Sequence, residues 1–279
     1  MEQLVMGIIF LAFVLVVRRK EAFVFRWRPT RHTWVAVGAG LLAFVFSASM
    51  LLVGVDSLAA KLIHRVLIYA LCGVAIPWGY TLLVEREPVA AMGLRRDKWA
   101  VSLILNLALA ALMSLIIIFE ADWASIRWDQ FFKATVPLVF AGGLFELFLY
   151  YGFIHLRLEK AFGPLPAIFV AAILYVLWHT GTQLPLEENV PLALLKLFGV
   201  GLMYQSVFSL TRNLWIIWPF FHGVGVMIDF VVNVDKIELV SRDFGWALFA
   251  LALMALTGVI VALLRRNVMQ PAATTAIRW

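Results

Sequence analysis

Charge is what this sequence has least of. Asp, Glu, Lys and Arg make up 14% of 279 residues, against roughly a quarter in soluble domains. Cysteine is almost missing as well. Cys72 stands alone, which excludes an intramolecular disulfide and a thiolate-bound metal cluster. Long polar stretches are also lacking, since those near 18–33 and 85–99 are too short to fold by themselves. What fills the chain is apolar: 63% hydrophobic residues, with 22 Phe and 11 Trp, and a mean hydropathy of +0.94. That composition excludes a water-soluble enzyme, and it excludes a disordered chain, which would be poor in aromatics and rich in charge. A net charge of +6 could suggest nucleic acid. The basic residues, however, sit in short clusters between apolar runs, where membrane topology explains them, so the expected surroundings are a lipid bilayer and no nucleic acid.

A hydrocarbon core of about 30 Å takes about 20 apolar residues of helix, and helix is the spanning form that continuous apolar runs allow. Candidate spans lie near 4–17, 34–55, 63–84, 100–119, 135–156, 165–183, 190–210, 213–233 and 244–264. The expected fold is therefore all-α, a polytopic bundle of eight to nine spans. In the first segment the charges Arg18, Arg19 and Lys20 follow the apolar run, the reverse of a cleavable signal peptide. It reads as a retained anchor. Lys and Arg then collect in alternate loops, around Arg26 to Arg31, Arg86 to Lys98, Arg157 and Lys160, Arg212, and Arg265 and Arg266. The positive-inside rule thus puts the N-terminus outside and the C-terminus inside, in a multi-pass protein of a bacterial inner membrane. No internal repeat is evident. The chain divides into N-terminal spans at 1–84, a core at 85–235 and a C-terminal span and tail at 236–279, all in one integrated membrane domain. Trp123, Ile126, Trp128, Phe131 and Phe132, interleaved with Asp122, Arg127 and Asp129, predict a short interfacial helix.

Ionisable side chains inside a span cost a few kcal/mol or more each and mark function by default. Four stand out: Glu146, His179, His222 and Asp229. Glu146 follows Gly142 and Gly143, which let a neighbouring helix come close, and Tyr150 lies one turn further on the same face. His179 has Tyr175 one turn before it. Asp229 is two turns after His222 and shares its face. One Glu and two His on three spans form the inventory of water-activating hydrolysis, with or without a metal. Lys196 can snorkel or pair. His64 and Arg65 read as headgroup-level residues, His32 as a loop residue, and His155 as a residue near the inner end of its span.

These residues carry a resemblance. Glu146-Leu-Phe-Leu-Tyr-Tyr151-Gly152, then Tyr175-x-x-x-His179, then His222 after Asn213-Leu214-Trp215 and Pro219 resemble the CAAX protease and bacteriocin-processing (CPBP) family of intramembrane proteases. Ala91-Met92-Gly93-Leu94-Arg95-Arg96 also looks like the Gly-Leu-Arg loop ahead of that core. The family pattern is Glu-Glu-x-x-x-Arg-Gly, aromatic-x-x-x-His and His-x-x-x-Asn or Asp. Here Leu147 replaces the second Glu, Tyr151 the Arg and Val226 the Asn. Losing Glu and Arg together avoids a buried charge without a partner, and Asp229 or Tyr204 could supply the missing hydrogen bond. The resemblance implies an endopeptidase acting on a membrane-associated protein or peptide. In it Glu146 and His179 position and deprotonate a water, while His222 stabilises the oxyanion or helps bind a zinc ion with the other two. Tyr150, Tyr151, Tyr175 and Asp229 would support them. Two other classes fit the same residues: a non-catalytic family member that binds a membrane partner through the old site, and a transporter.

Overall fold

The structure, a computed structural model, describes residues 2–121, 123–124, 126–186, 188–232 and 234–269; Asp122 lies outside them. Among the described residues there are helices and turns and no strand. Ten helices organise the chain: α1 (Glu2–Val17), α2 (Arg31–Val53), α3 (Leu58–Val84), α4 (Trp99–Glu120), α5 (Trp128–Phe162), α6 (Pro164–Trp178), α7 (Val190–Thr211), α8 (Phe220–Val232), α9 (Val234–Arg242) and α10 (Phe244–Met269). Their starts carry local signals. Thr30 and Thr33 form a capping box at α2, Ser57 accepts from the Ala60 amide at α3, and Asn189 accepts from the Leu192 amide at α7. Each satisfies amides that a helix leaves orphaned at its N-terminus.

Seven helices, α2 to α7 and α10, with α6 taken on through its closing turn to Gly181, are long and apolar enough to cross a membrane. The nine spans expected from sequence include two that are shorter. Helix α1 has 16 residues, about 24 Å at 1.5 Å per residue, less than the hydrocarbon thickness. The 213–233 stretch is not one helix, because a tight turn at Leu214–Ile216 precedes a bend at Trp218-Pro219, and only then does α8 begin. The predicted interfacial helix also differs from expectation. Trp128–Val136 is the amphipathic first part of α5, continuous with the span that carries Glu146, and it packs against α9.

Helix α5 is the axis of the bundle. In its most apolar window 78% of residues are buried inside the protein, against 28% for α4 and 22% for α10, which lie at the bundle's surface. Around it α6 packs on α2 and α7, α8 on α4, and α10 on α3. Segments assigned to the three stretches 1–84, 85–235 and 236–279 pack directly on one another. Helix α1 lies along α7 at a backbone contact that only glycine permits. A Cβ at Gly7 would strike the Gly199 carbonyl, and a Cβ at Gly199 would strike Gln3, so two apolar helices approach through their main chains as small residues allow in membranes.

Candidate active site

Glu146 sits where α5 runs through the centre of the bundle, and it is 6% exposed. Two imidazoles from other helices face its two oxygens. His179 Nε2 lies 3.8 Å from Oε1, and His222 Nε2 lies 3.6 Å from Oε2. Both spacings exceed a direct hydrogen bond. His179 and His222 are 2% and 5% exposed, so the cluster is screened from solvent on all three members.

Each histidine is held by main-chain geometry. Helix α6 ends at Trp178, and His179 opens a tight turn to Gly181. Ser47 of α2 grips that turn, donating to the Trp178 carbonyl and accepting from the Gly181 amide at 2.8 Å. His179 Nδ1 bonds the Tyr175 carbonyl at 2.8 Å. A carbonyl only accepts, so Nδ1 carries the proton, and in the neutral ring Nε2 turns a lone pair towards Glu146. The Tyr175 ring covers the same imidazole at 4.6 Å. His222 rests on α5 at Gly143, where a Cβ would come within 2.9 Å of its Cε1 and 3.0 Å of its Nδ1. Gly143 therefore sets how closely α8 approaches Glu146.

The start of α8 is fixed by a residue that the sequence reading missed. Asn106, fully buried in α4, donates to the Trp215 carbonyl at 2.8 Å and accepts from the Phe221 amide at 2.6 Å. One side chain thereby satisfies both ends of the bend that delivers His222. A signal was present: Asn106 is an amide inside an otherwise apolar run. The Gly-Leu-Arg loop supports the same bend, with the Leu214 amide on the Gly93 carbonyl at 2.9 Å and Asn213 Nδ2 on the Arg95 carbonyl at 2.8 Å.

The other sequence candidates divide. Tyr150 and Tyr151 are fully buried, and their hydroxyls have no hydrogen-bond partner among the described residues, nor do Glu146 Oε2 and His222 Nδ1. Tyr151 packs towards Tyr204 and Phe208, and Tyr204 in turn lies 5.8 Å from the His222 ring. Asp229 is partly exposed on α8 and interacts electrostatically with Tyr175 and Tyr204. Leu147 is buried in the apolar core. His155 stands apart from the cluster: Nδ1 meets Gln205 Oε1 at 2.8 Å and Nε2 lies 3.6 Å from Glu159.

His64 and Arg65, near the start of α3, pack against protein side chains. Arg65 is 6% exposed and donates to Asp243 at 3.2 Å and to His64 Nδ1 at 2.6 Å. The His64 ring packs on Tyr69 at 4.5 Å and reaches Trp178 at 6.1 Å, beside the turn that carries His179. Burial here is possible because Asp243 neutralises the guanidinium.

Among the described residues no group of three or more His, Cys, Asp or Glu side chains is arranged to hold a metal ion. The two imidazoles flank opposite oxygens of one carboxylate, a donor set suited to proton transfer. No curated protein and no solved structure matches the chain. A family model does, described as Type II CAAX prenyl endopeptidase Rce1-like, over residues 127–227. That interval takes in Glu146, His179 and His222, while Ser47, Asn106 and the Gly93–Arg95 loop that support them lie before it. Residues 127–227, a little over a third of the chain, are thus similar to the Rce1-like family, and the match supports the resemblance to the CPBP intramembrane proteases over that stretch.

Proposed function

We propose that the protein is an intramembrane endopeptidase in which Glu146 is the general base. A water held between Glu146 and the Nε2 lone pair of His179 attacks a peptide carbonyl. Its proton passes to Glu146, and the new C–O bond leaves a tetrahedral oxyanion that His222 Nε2–H stabilises. The C–N bond then breaks, and Glu146 returns the proton to the leaving amine. What supports the reading above all is the spacing of 3.8 and 3.6 Å between one buried carboxylate and imidazoles from two other helices. Those gaps leave hydrogen-bonding capacity for a reacting water. Each of these steps uses the three side chains and the water alone.

The family description, a prenyl endopeptidase, makes a prenylated carboxy-terminal peptide the first substrate to try. A bacterial secreted peptide is the second. The test is cleavage by the full chain in proteoliposomes, comparing wild type with Glu146→Gln, His179→Ala and His222→Ala. Glu146→Gln is expected to lower turnover at least about a hundredfold. Wild-type turnover in that variant would refute the assignment.

One observation favours a second reading. Leu147 and Tyr151, which replace charged residues of the family pattern, are packed in the apolar core, as expected of a member that binds a membrane partner without cleaving it. Stoichiometric capture of such a partner by the Glu146→Ala, His222→Ala double variant, with no turnover in the wild type, would favour that reading.

A further inference from the structure

At the end of the bundle where α1, the α4 start and the α7 end meet lies a cavity of about 370 Å³, lined by Arg18, Arg19, Lys20, Glu21, Lys98 and Arg212. Five cations and one carboxylate line it, with Glu159 behind two of the cations. The cations come from three separate pieces of chain, so the fold, and no single basic run, assembles them. Arg18 and Arg212 are aimed. Arg18 Nη1 donates to the Ser209 carbonyl at 2.6 Å, and its Nη2 to Glu159 at 3.1 Å. Arg212 Nε and Nη2 fork onto Glu159 at 3.0 and 2.7 Å. The same two Nη2 groups also converge on one atom, Glu21 Oε2, at 2.7 Å from Arg18 Nη2 and 3.3 Å from Arg212 Nη2.

Glu21 is a weakly anchored occupant of that point. Its side chain is 63% exposed on a helix of one turn, Arg19–Ala22. The hydrogen bond from Arg18 holds its carboxyl below the usual carboxylate range, so the point favours an anion. Arg19, Lys20 and Lys98 make no ion pair among the described residues. Two preset guanidinium groups plus Arg19, Lys20 and Lys98 exceed what Glu21 and Glu159 together neutralise, and they match the several acceptor oxygens of a phosphate.

We infer that this cavity is a phosphate-binding site, in which Glu21 occupies the position that a phosphate oxygen takes when the ligand enters. Two sources carry that chemistry: the headgroup of an anionic phospholipid in the same leaflet, and a soluble phosphate. The site is independent of the protease reading, because none of its residues touches Glu146, His179 or His222.

The test is native mass spectrometry of the full chain in detergent with phosphatidylglycerol, with phosphatidylcholine, or with inorganic phosphate. Phosphatidylglycerol retained well above phosphatidylcholine, with no retention of inorganic phosphate, assigns the site to anionic lipid. Retention of inorganic phosphate as well assigns it to the phosphate group itself. Arg212→Gln is expected to weaken binding about tenfold. Because that change also breaks the Glu159 pair, the triple variant Arg19→Gln, Lys20→Gln, Lys98→Gln, which leaves the internal pairs intact, must show a similar loss. Glu21→Gln is expected to strengthen binding about threefold or more. Asp97→Asn removes the same charge near the cavity and is expected to have no effect. Equal gains from Glu21→Gln and Asp97→Asn would reduce the site to surface charge and overturn the proposal. So would undiminished binding in the triple variant, or no retention of either phosphate source.

Discussion

Two glutamates on α5, both buried, are treated in opposite ways. Glu159 is saturated: Arg212 and Arg18 donate to it at 2.7 to 3.1 Å, with His155 3.6 Å away. Glu85 is served likewise, by Arg157, which also bonds Thr81 at 2.7 Å and the Phe153 carbonyl at 3.1 Å. Among the described residues Glu146 is faced by two imidazoles, neither within hydrogen-bond distance, and its Oε2 has no hydrogen-bond partner. A carboxylate whose lone pairs are all engaged by guanidinium groups fixes helices in place. One left with spare capacity in a dry interior is costly to keep and is available to a reacting water. The contrast separates structural acid from candidate base on one helix.

The sharpest way to break the comparison is to neutralise each acid in turn. Glu146→Gln is expected to lose activity at least about a hundredfold while the melting temperature stays within about 2 °C or rises, because an uncompensated buried acid is removed. Glu159→Gln is expected to do the reverse. It leaves two arginines with Glu21 as their remaining acidic partner and costs about 2–3 kcal/mol, below the range for fully buried pairs because Arg212 is 38% exposed, with turnover per folded molecule little changed. If both variants lose mainly stability, Glu146 is structural too.

Smaller substitutions probe how the site is held. Gly143→Ala puts a methyl against the His222 ring and is expected to cut turnover about tenfold through displacement of that imidazole, with the helix content by circular dichroism unchanged. Asn106→Leu removes both bonds at the α8 bend and is expected to cost about 1–3 kcal/mol in stability, with a turnover loss smaller than that of Gly143→Ala. The smallest effect is expected from a chelator. Dialysis against it should leave turnover within about twofold, since the trio offers no ready ligand set; loss restored by added zinc would show that the three residues close around an ion.

How much was legible depended on whether the signal was local. Glu146, His179 and His222 could be picked out because ionisable groups are rare in apolar runs, and their rarity survives any packing. Asn106 carried the same kind of signal but no charge, so it passed unnoticed. The burial of Arg65 was not legible, because a residue near the end of a hydropathy run can be wet or buried. Asp243 decides between these, and it is distant in sequence. The 213–233 stretch read as one span because hydropathy is blind to a bend in the middle of an apolar run.

The sequence by itself determined the solvent and the secondary structure: low charge and long apolar runs demand a bilayer, and a bilayer demands helices that satisfy their own backbones. It also determined which few side chains could do chemistry. Only the tertiary structure decided that a carboxylate on α5 meets imidazoles from the end of α6 and from α8, and that Glu159 is instead locked by arginines. Those outcomes rest on distances between helices, set by contacts such as Gly143 against His222 and Asn106 against the Phe221 amide. Such contacts join residues far apart in the chain, and no local pattern encodes them.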